Sequence, residues 1–421
     1  MISVSYDRTL ARRVATFALS LMLCSMFVST GYAQRPAGML RIATYNVSLF
    51  RSASGQLARE LRRGDSQQAR KLAQVIQIVR PDVLLLNEID YDSDHSVLRI
   101  FLDQYLARGQ QGESGIEFQH HFAAPSNTGI DSGLDLDADG VKGEPDDAWG
   151  FGRYPGQYAM AVVSRYPIDR QGVRTFQKLR WSTMPNARRP IDPTTGESYY
   201  ADAVWQQLRL SSKSHWDVPI AVPQIGVLHL LVSHPTPPVF DGPEDRNGCR
   251  NFDEIRFWAD YISPSPPDYL IDDQGRLGGL GENKLFVIAG DLNCDPADGD
   301  TKPAGIDQLL KHPRVNGSLV PRSAGGVAAA KRAANLNANR RGDPAMHTAD
   351  FGGDGVGNLR VDYVLPARDL PAKAAGVFWP APGERGSNAV TATDHRLVWI
   401  DIELPAADDG HQPRKGHSSQ H

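Results

Sequence analysis

Several short apolar runs in this chain close on a polar side chain. IATYNV carries Asn46, VLLLNE ends on Glu88, LHLLVSH ends on His234, and LFVIAGDLN runs into Asp291 and Asn293. LRVDYVL holds Asp362 within it, and Asp394-His395 stands at the mouth of the alternating run 397–404. Apolar runs of this length read as buried strands. Polar residues gathered at their ends read as one site assembled on a rigid scaffold.

A chain of 421 residues has the length for two or three domains. The candidate site residues, however, are spread from Asn46 to His395, which favours one large domain with inserted loops over residues 34–405. Ahead of it, Arg12 and Arg13 precede an uncharged apolar run over 14–28, and Gly31-Tyr32-Ala33 offers small residues at a cleavage position. Residues 1–33 therefore read as a signal peptide, too short and wrongly flanked for a membrane span. The expectation is a secreted or periplasmic protein with no membrane span, a monomer, and a disordered tail over 406–421.

The full chain has a formal net charge of −4. Losing residues 1–33 removes Arg8, Arg12, Arg13 and Asp7, which takes the net charge to −6. A mildly acidic chain has no global pull toward nucleic acid or anionic lipid. A local basic patch from Arg180, Arg188 and Arg189 stays open.

Asp65-Ser66 caps a predicted helix with Ala69, Leu72, Val75, Ile76 and Val79 at helical spacing, and Pro81 follows it. A second helix is predicted from near Phe252, with Ile255, Trp258, Ala259 and Ile262 on one face and the proline-rich stretch 263–267 as its stop. The segments 106–156, 180–222, 263–283 and 313–348 are loop-like in composition, with a short helix over 324–341 as the alternative to a loop there. Strand candidates outnumber helices, which argues for a mixed α/β architecture rather than a strict βαβ repeat.

The chemistry of the set is specific. Asn46, Glu88, Asp291, Asn293 and Asp394 offer oxygen donors, which suit Mg²⁺, Mn²⁺ or Ca²⁺. His234 and His395 can donate hydrogen bonds or carry protons near neutral pH, and Asp362 can orient one of them. Each fragment alone is an ordinary turn or surface pair. Together, in this order and at strand ends, they form a site for metal-assisted hydrolysis of a phosphate ester.

The ordered set IATYNV, DVLLLNE, GQYAMAVVSRYPI, VSHPTPP, VIAGDLNCDP, LRVDYVLP and TDHRLV resembles the endonuclease/exonuclease/phosphatase family over residues 40–404. Gly290-Asp291-Leu292-Asn293 and Asp394-His395 are its most specific pieces. The resemblance implies the deoxyribonuclease-like fold: two mixed β-sheets packed face to face as a sandwich with helices outside, in four α/β/β/α layers. It implies that Glu88 is the main metal ligand, completed by Asn46 and Asp394. Asp291 would align or deprotonate the attacking water, and Asn293 would hold the phosphate. His234 and His395 would donate to the phosphoryl oxygens, with Asp362 paired to His395. Gln157 and Tyr158 occupy a position where the family often has a polar or aromatic residue. The family frequently has Gln before the metal-binding Glu, and Asn87 stands there instead. His234 and the acidic balance speak against the DNA-repair branch.

Three readings follow: a secreted Mg²⁺- or Mn²⁺-dependent phosphohydrolase acting on a phosphodiester or phosphomonoester, a secreted nuclease with nucleic acid as its substrate, and a binding module that has lost catalysis. The last is disfavoured because every expected carboxylate and imidazole is present. Separately, Asp135, Asp137 and Asp139 stand at positions one, three and five of a loop with Gly140 at six, the start of a calcium loop of the EF-hand kind. Asp146 takes the place of the usual closing Glu. Asp90, Asp92 and Asp94 follow Glu88 as a further acidic cluster on the expected rim. Finally, Cys249 and Cys294 remain after export and are expected to form a disulfide joining the His234 and Asp291 loops.

Overall fold

The computed structural model describes residues 36–406. The expected leader, and residues 407–421 of the expected tail, lie outside them. The long apolar runs are strands, as their β-branched and leucine-rich composition requires. β1 (Met39–Leu49), β2 (Val83–Ile89), β3 (His120–Phe122) and β4 (Ala159–Ser164) belong to one sheet. β5 (Arg174–Thr175), β6 (His215–Val222), β7 (Gly226–Ser233) and β8 (Leu285–Asp291) belong to another. β9 (Ala349–Phe351) and β10 (Gly357–Leu359) form a small hairpin, β11 (Asp362–Pro366) joins the second sheet, and β12 (Ala372–Val377) and β13 (Val398–Glu403) join the first.

The first sheet has the order β12-β13-β1-β2-β4-β3 and the second β11-β8-β7-β6-β5. Both are mixed. β1 runs parallel to β2 and antiparallel to β13, and β7 runs parallel to β8 while the other pairs of its sheet are antiparallel. The sheets meet through β1 and β2 on one side and β8 and β11 on the other. Central strands covered on both faces need apolar residues at every position, and β2 is fully apolar up to Asn87 for that reason. This is the expected four-layer α/β/β/α sandwich.

Helix α1 (Gln67–Val79) is capped by Ser66, whose hydroxyl accepts from the Ala69 amide, and it ends on Arg80 in the left-handed region. It is tied to the first sheet by the Arg41 guanidinium, which donates to the Val79 carbonyl at 2.8 Å. Helix α2 (Arg246–Tyr261) is tied to the second sheet by Trp258 Nε1 donating to Ser233 Oγ and by the Tyr261 hydroxyl donating to Asp217.

Three sequence expectations are corrected here. Helix α2 begins at Arg246, not near Phe252; Gly248 in its first turn disguises the start. β6 lies inside the expected loop 180–222. Pro219 argues against a strand, yet β6 and β7 pair along their length and the Pro219 carbonyl accepts from the Asp169 amide. Cys249 and Cys294 are both free and buried, not bonded. The tie expected of them is made by Asn251, whose Nδ2 donates to the Thr236 carbonyl at 2.8 Å and to the Leu292 carbonyl at 3.0 Å. One amide thus joins the loop after His234 to the loop after Asp291.

Candidate active site

The ends of β1, β2, β7, β8 and β11 converge with the 393–395 turn on one edge of the sandwich. Two irregularities aim the side chains there. The β1–β2 register shifts between Asn46 and Leu49, and the β2–β4 register shifts between Asn87 and Ile89. Glu88 sits in the second bulge with φ +57°, and Ser48 in the first with φ +44°. A bulge at a strand end re-aims a side chain that strict alternation would bury elsewhere. Asn293 and Tyr158, also at this edge, have φ of +50° and +57°.

Asp291 is the centre. One of its oxygens, Oδ2, accepts from Asn46 Nδ2 at 3.0 Å and lies 3.4 Å from His234 Nε2 and 3.6 Å from His395 Nε2. The other, Oδ1, accepts from the Asn293 amide at 3.1 Å. Asp291 is also the direct cross-strand partner of Asp362. Two buried carboxylates facing each other repel, and His395 lies between them, its Nδ1 2.9 Å from Asp362 Oδ2. Burial alone would depress the imidazolium of His395. Asp362, Asp291 and Asp394 outweigh that and hold its pKa well above the ordinary value. Burial pushes the Asp291 carboxyl up to about 7, His395 working against the rise and Asp362 and Glu88 adding to it.

The two histidines are opposites. His234 is buried, and neither ring nitrogen has a hydrogen-bond partner among the described residues. Burial, and then the nearby charges of Lys213 and His395, hold it neutral, far below its usual pKa. Its Nε2 is 3.9 Å from Glu88 Oε1. Glu88 itself is raised by burial, and His395, Asn46 and Lys213 counter the rise.

The remaining expected residues fall around this core. Asn46 Oδ1 accepts from the Ser48 amide, so both atoms of its amide are engaged. Asn293 Nδ2 donates to the Pro235 carbonyl, bringing it beside the His234 loop. Asp394 is the most exposed member, at 44% of its side chain; its Oδ1 is 4.0 Å from His395 Nε2 and accepts from Ser48 Oγ and Thr393 Oγ1. Asn87 is buried and donates to Thr44 Oγ1, bracing β2 against β1. Gln157 donates to the Arg51 carbonyl and accepts from the Arg153 amide, which makes it a loop brace. Asp92 caps the short helix Ser96–Ile100, and Asp90 accepts from the Tyr154 hydroxyl and the Arg51 amide.

The carboxylate oxygens of Asp135, Asp137 and Asp139 do gather within 4.8 Å of one another. Asp146, expected to close that loop, is not in the cluster; it lies in the turn Pro145–Asp147 and faces a neighbouring cavity.

Sequence reasoning missed Lys213 and Glu254. Lys213 is buried, and burial lowers its pKa against the pull of Glu254, Glu88 and Asp291. It is a lone cation in Ser211-Ser212-Lys213-Ser214, with no motif to mark it. Glu254 on α2 accepts from the Ser212 amide and the Thr236 amide, both at 2.6 Å, so one carboxylate pins the Lys213 and His234 loops together. Its only sequence signal is a charge on the apolar side of a predicted helix.

Two groups of donors stand within metal-holding distance at this edge: Glu88 with His234 and Asp291, and Asp291 with Asp362 and His395. The oxygen donors fit a hard divalent cation. The orphaned ring nitrogens of His234 show that the site leaves a buried polar side chain unsatisfied, as sites completed by a ligand do. A two-sheet sandwich with such an edge defines a metal-dependent phosphoric ester hydrolase. The sequence matches the Endonuclease/Exonuclease/phosphatase family over residues 43–395, and the chain belongs to that family. No curated protein matches the sequence. Among solved structures, it is similar to an endonuclease/exonuclease/phosphatase from Beutenbergia cavernae DSM 12333, at 17% identity over 87% of this chain and 72% of that one, TM-score 0.46. It is also similar to sphingomyelinase C from Streptomyces griseocarneus, at 13% identity over 87% and 99%, TM-score 0.43. A Staphylococcus aureus beta toxin variant with bound magnesium ions matches at 14% identity over 86% and 98%, TM-score 0.42. Among the described residues no helix is long and apolar enough to cross a membrane.

Proposed function

We propose that the protein is an exported hydrolase that cleaves a phosphate ester, mono- or diester, by in-line attack of an activated water. The observation that carries this is the single oxygen Asp291 Oδ2, set among Asn46, His234 and His395. A carboxylate raised to about 7 by burial is a competent base at neutral pH. His395, kept charged by Asp362, presents Nε2 toward the same point and stabilises charge on the phosphoryl oxygens. Neutral His234 and the Asn293 side chain orient the phosphoryl group, and Lys213 adds a buried positive charge. Glu88, with Asp394 and Asn46, would hold Mg²⁺ or Mn²⁺. When bound, the ion supplies Lewis-acid neutralisation of the phosphoryl charge.

The Asp135–Asp139 loop is read as a separate Ca²⁺ site. Asp135 Oδ1 is buried with no hydrogen-bond partner among the described residues, and Gly140 turns with φ +89°. Asp137 is raised by burial and by its like-charged neighbour Asp139, a repulsion that a cation would relieve.

Hydrolysis of bis-p-nitrophenyl phosphate, p-nitrophenyl phosphate and plasmid DNA in Mg²⁺, Mn²⁺ or Ca²⁺ tests the reading. Metal-dependent turnover that disappears in Glu88→Ala supports it. Turnover that is indifferent to chelator, or unchanged in His395→Ala, sinks it. Preference for plasmid DNA would instead select the nuclease.

A further inference from the structure

Beside the metal-facing edge, the inserted segments enclose a cavity of about 510 Å³. Glu88 and Lys213 line it, and Glu88 Oε1 is 3.9 Å from His234 Nε2, so the cavity adjoins the reacting centre. Its walls are Phe50, Leu136, Phe151, Tyr158, Trp181 and Tyr200. Phe50 and Tyr158 pack against each other with tilted rings, centroids 4.4 Å apart. The Trp181 indole N–H is already satisfied by Asp253 at 2.7 Å, which leaves its ring as an apolar wall. At the mouth, Phe240 is 86% exposed and Phe151 51% exposed. Phe240 also holds φ +66°, a backbone conformation that a bulky residue adopts only under constraint.

The cations lining this chamber are not arranged for a polyanion. Arg250 donates to the Leu210 and Trp149 carbonyls, Arg209 donates to Asn127 Oδ1, and Arg246 is paired with Glu244. All three brace the walls. Lys213 is the lining cation with no such tie among the described residues, and it stands beside Glu88. Nucleic-acid grooves track the backbone with several uncommitted cations. A concave, aromatic chamber of this volume matches a small-molecule site.

Resting on the hydrolase reading above, we infer that the substrate is a low-molecular-weight phosphoester whose organic group is aromatic or comparably flat and apolar. That group fills the chamber between Phe50, Tyr158 and Trp181, with Phe151 and Phe240 against it at the mouth, while its phosphoryl group reaches Lys213 and the cation that Glu88 would hold.

The test is calorimetric binding of two non-hydrolysable probes, 1-naphthylphosphonate and methylphosphonate, in Mg²⁺. The naphthyl probe is expected to bind at least about tenfold tighter, by burial of its apolar area. Phe151→Ala/Phe240→Ala removes two exposed rings at little risk to folding, and it should collapse most of that ratio. Equal affinities in the wild type overturn the inference, as does an unchanged ratio in the double variant. Tighter binding of a short DNA oligonucleotide than of the naphthyl probe also overturns it. Cosedimentation with phosphatidylcholine vesicles that the double variant loses, with the ratio intact, would assign the rings to a membrane instead. Turnover of 1-naphthyl phosphate separates the two readings. Aryl selectivity in binding without turnover in any metal keeps the chamber and removes the hydrolase. Turnover with no aryl selectivity does the reverse.

Discussion

The strand-end edge and the loop 135–139 both gather carboxylates within 4.8 Å, yet they are built differently. At the edge, Asp291 and Asp362 are fully buried on adjacent strands, and the repulsion between them is met by an internal cation, His395. In the loop, Asp135, Asp137 and Asp139 are half-buried or exposed, and no side-chain cation answers them among the described residues. A scaffold that supplies its own counter-charge fixes a catalytic geometry. A loop that lacks one would need an ion from outside to hold its carboxylates together. The comparison also teaches that carboxylate proximity alone does not distinguish the two kinds of site; the compensating charge does.

The largest test of the contrast is at the edge. Asp291→Asn and Glu88→Gln should each lower kcat/KM by at least about a thousandfold, while circular dichroism stays native. Asp291→Asn should leave stability unchanged or raise it, because it removes a buried charge facing Asp362. An active Asp291→Asn enzyme would end the case for Asp291 as the base.

Next is the internal cation. His395→Ala should reduce kcat on the order of a hundredfold to a thousandfold and should destabilise the fold, leaving Asp362 buried without its partner. Urea melts of His395→Ala, Asp362→Asn and the double variant measure the coupling. If the two changes are additive, His395 is not compensating Asp362.

The clamp on helix α2 links the edge to the loops. Glu254→Ala strands the amides of Ser212 and Thr236, which should cost about 1–3 kcal/mol for each group left unsatisfied. Activity should fall roughly tenfold as the Lys213 and His234 loops loosen. A full loss of stability with normal kcat in the surviving fraction would show that the clamp holds the fold and not the site.

Acid should probe the same clamp. His215 is buried; its Nε2 donates to the Glu254 carbonyl, so in the neutral ring Nδ1 accepts from the Ser211 hydroxyl at 2.6 Å. Burial pushes its pKa down to about 3. The unfolded chain takes up this proton below about pH 6.5 and the folded chain does not. The contribution is therefore complete above that pH and is lost as pH falls toward about 3, at up to roughly 1.4 kcal/mol per pH unit. Urea midpoints between pH 7.5 and 5 should fall more steeply in the wild type than in His215→Gln. Parallel curves would remove His215 from the account.

The smallest effect belongs to the loop. Calcium should raise the melting temperature by about 2–4 °C, a shift of roughly 1 kcal/mol. Asp135→Ala/Asp137→Ala should lose the gain and keep activity at the edge. An equal calcium response in both proteins would leave the loop as a solvated surface turn.

The apolar runs determined the strands, and their polar ends determined the candidate site, because a strand buried on both faces carries a charge most readily where the sheet stops; within it a charge needs a partner, as Arg41 has in Asp401. Asn46, Glu88, His234, Asp291, Asp362 and His395 were legible for that reason. Helix α1 was legible from its period and its Ser66 cap. Tertiary structure decided the rest. Pro219 hid β6 because its loss of a donor is neutral only where the pairing does not call for one, and Gly248 hid the first turns of α2. Cys249 falls in the first turn of α2 and Cys294 on the loop after Asp291, both free and buried, and Asn251 makes the tie instead. Lys213, Glu254 and the aromatic chamber have no spacing to read. They exist only because segments far apart in the chain are folded against one another, and a lone charge or ring acquires its meaning from the neighbours that burial imposes.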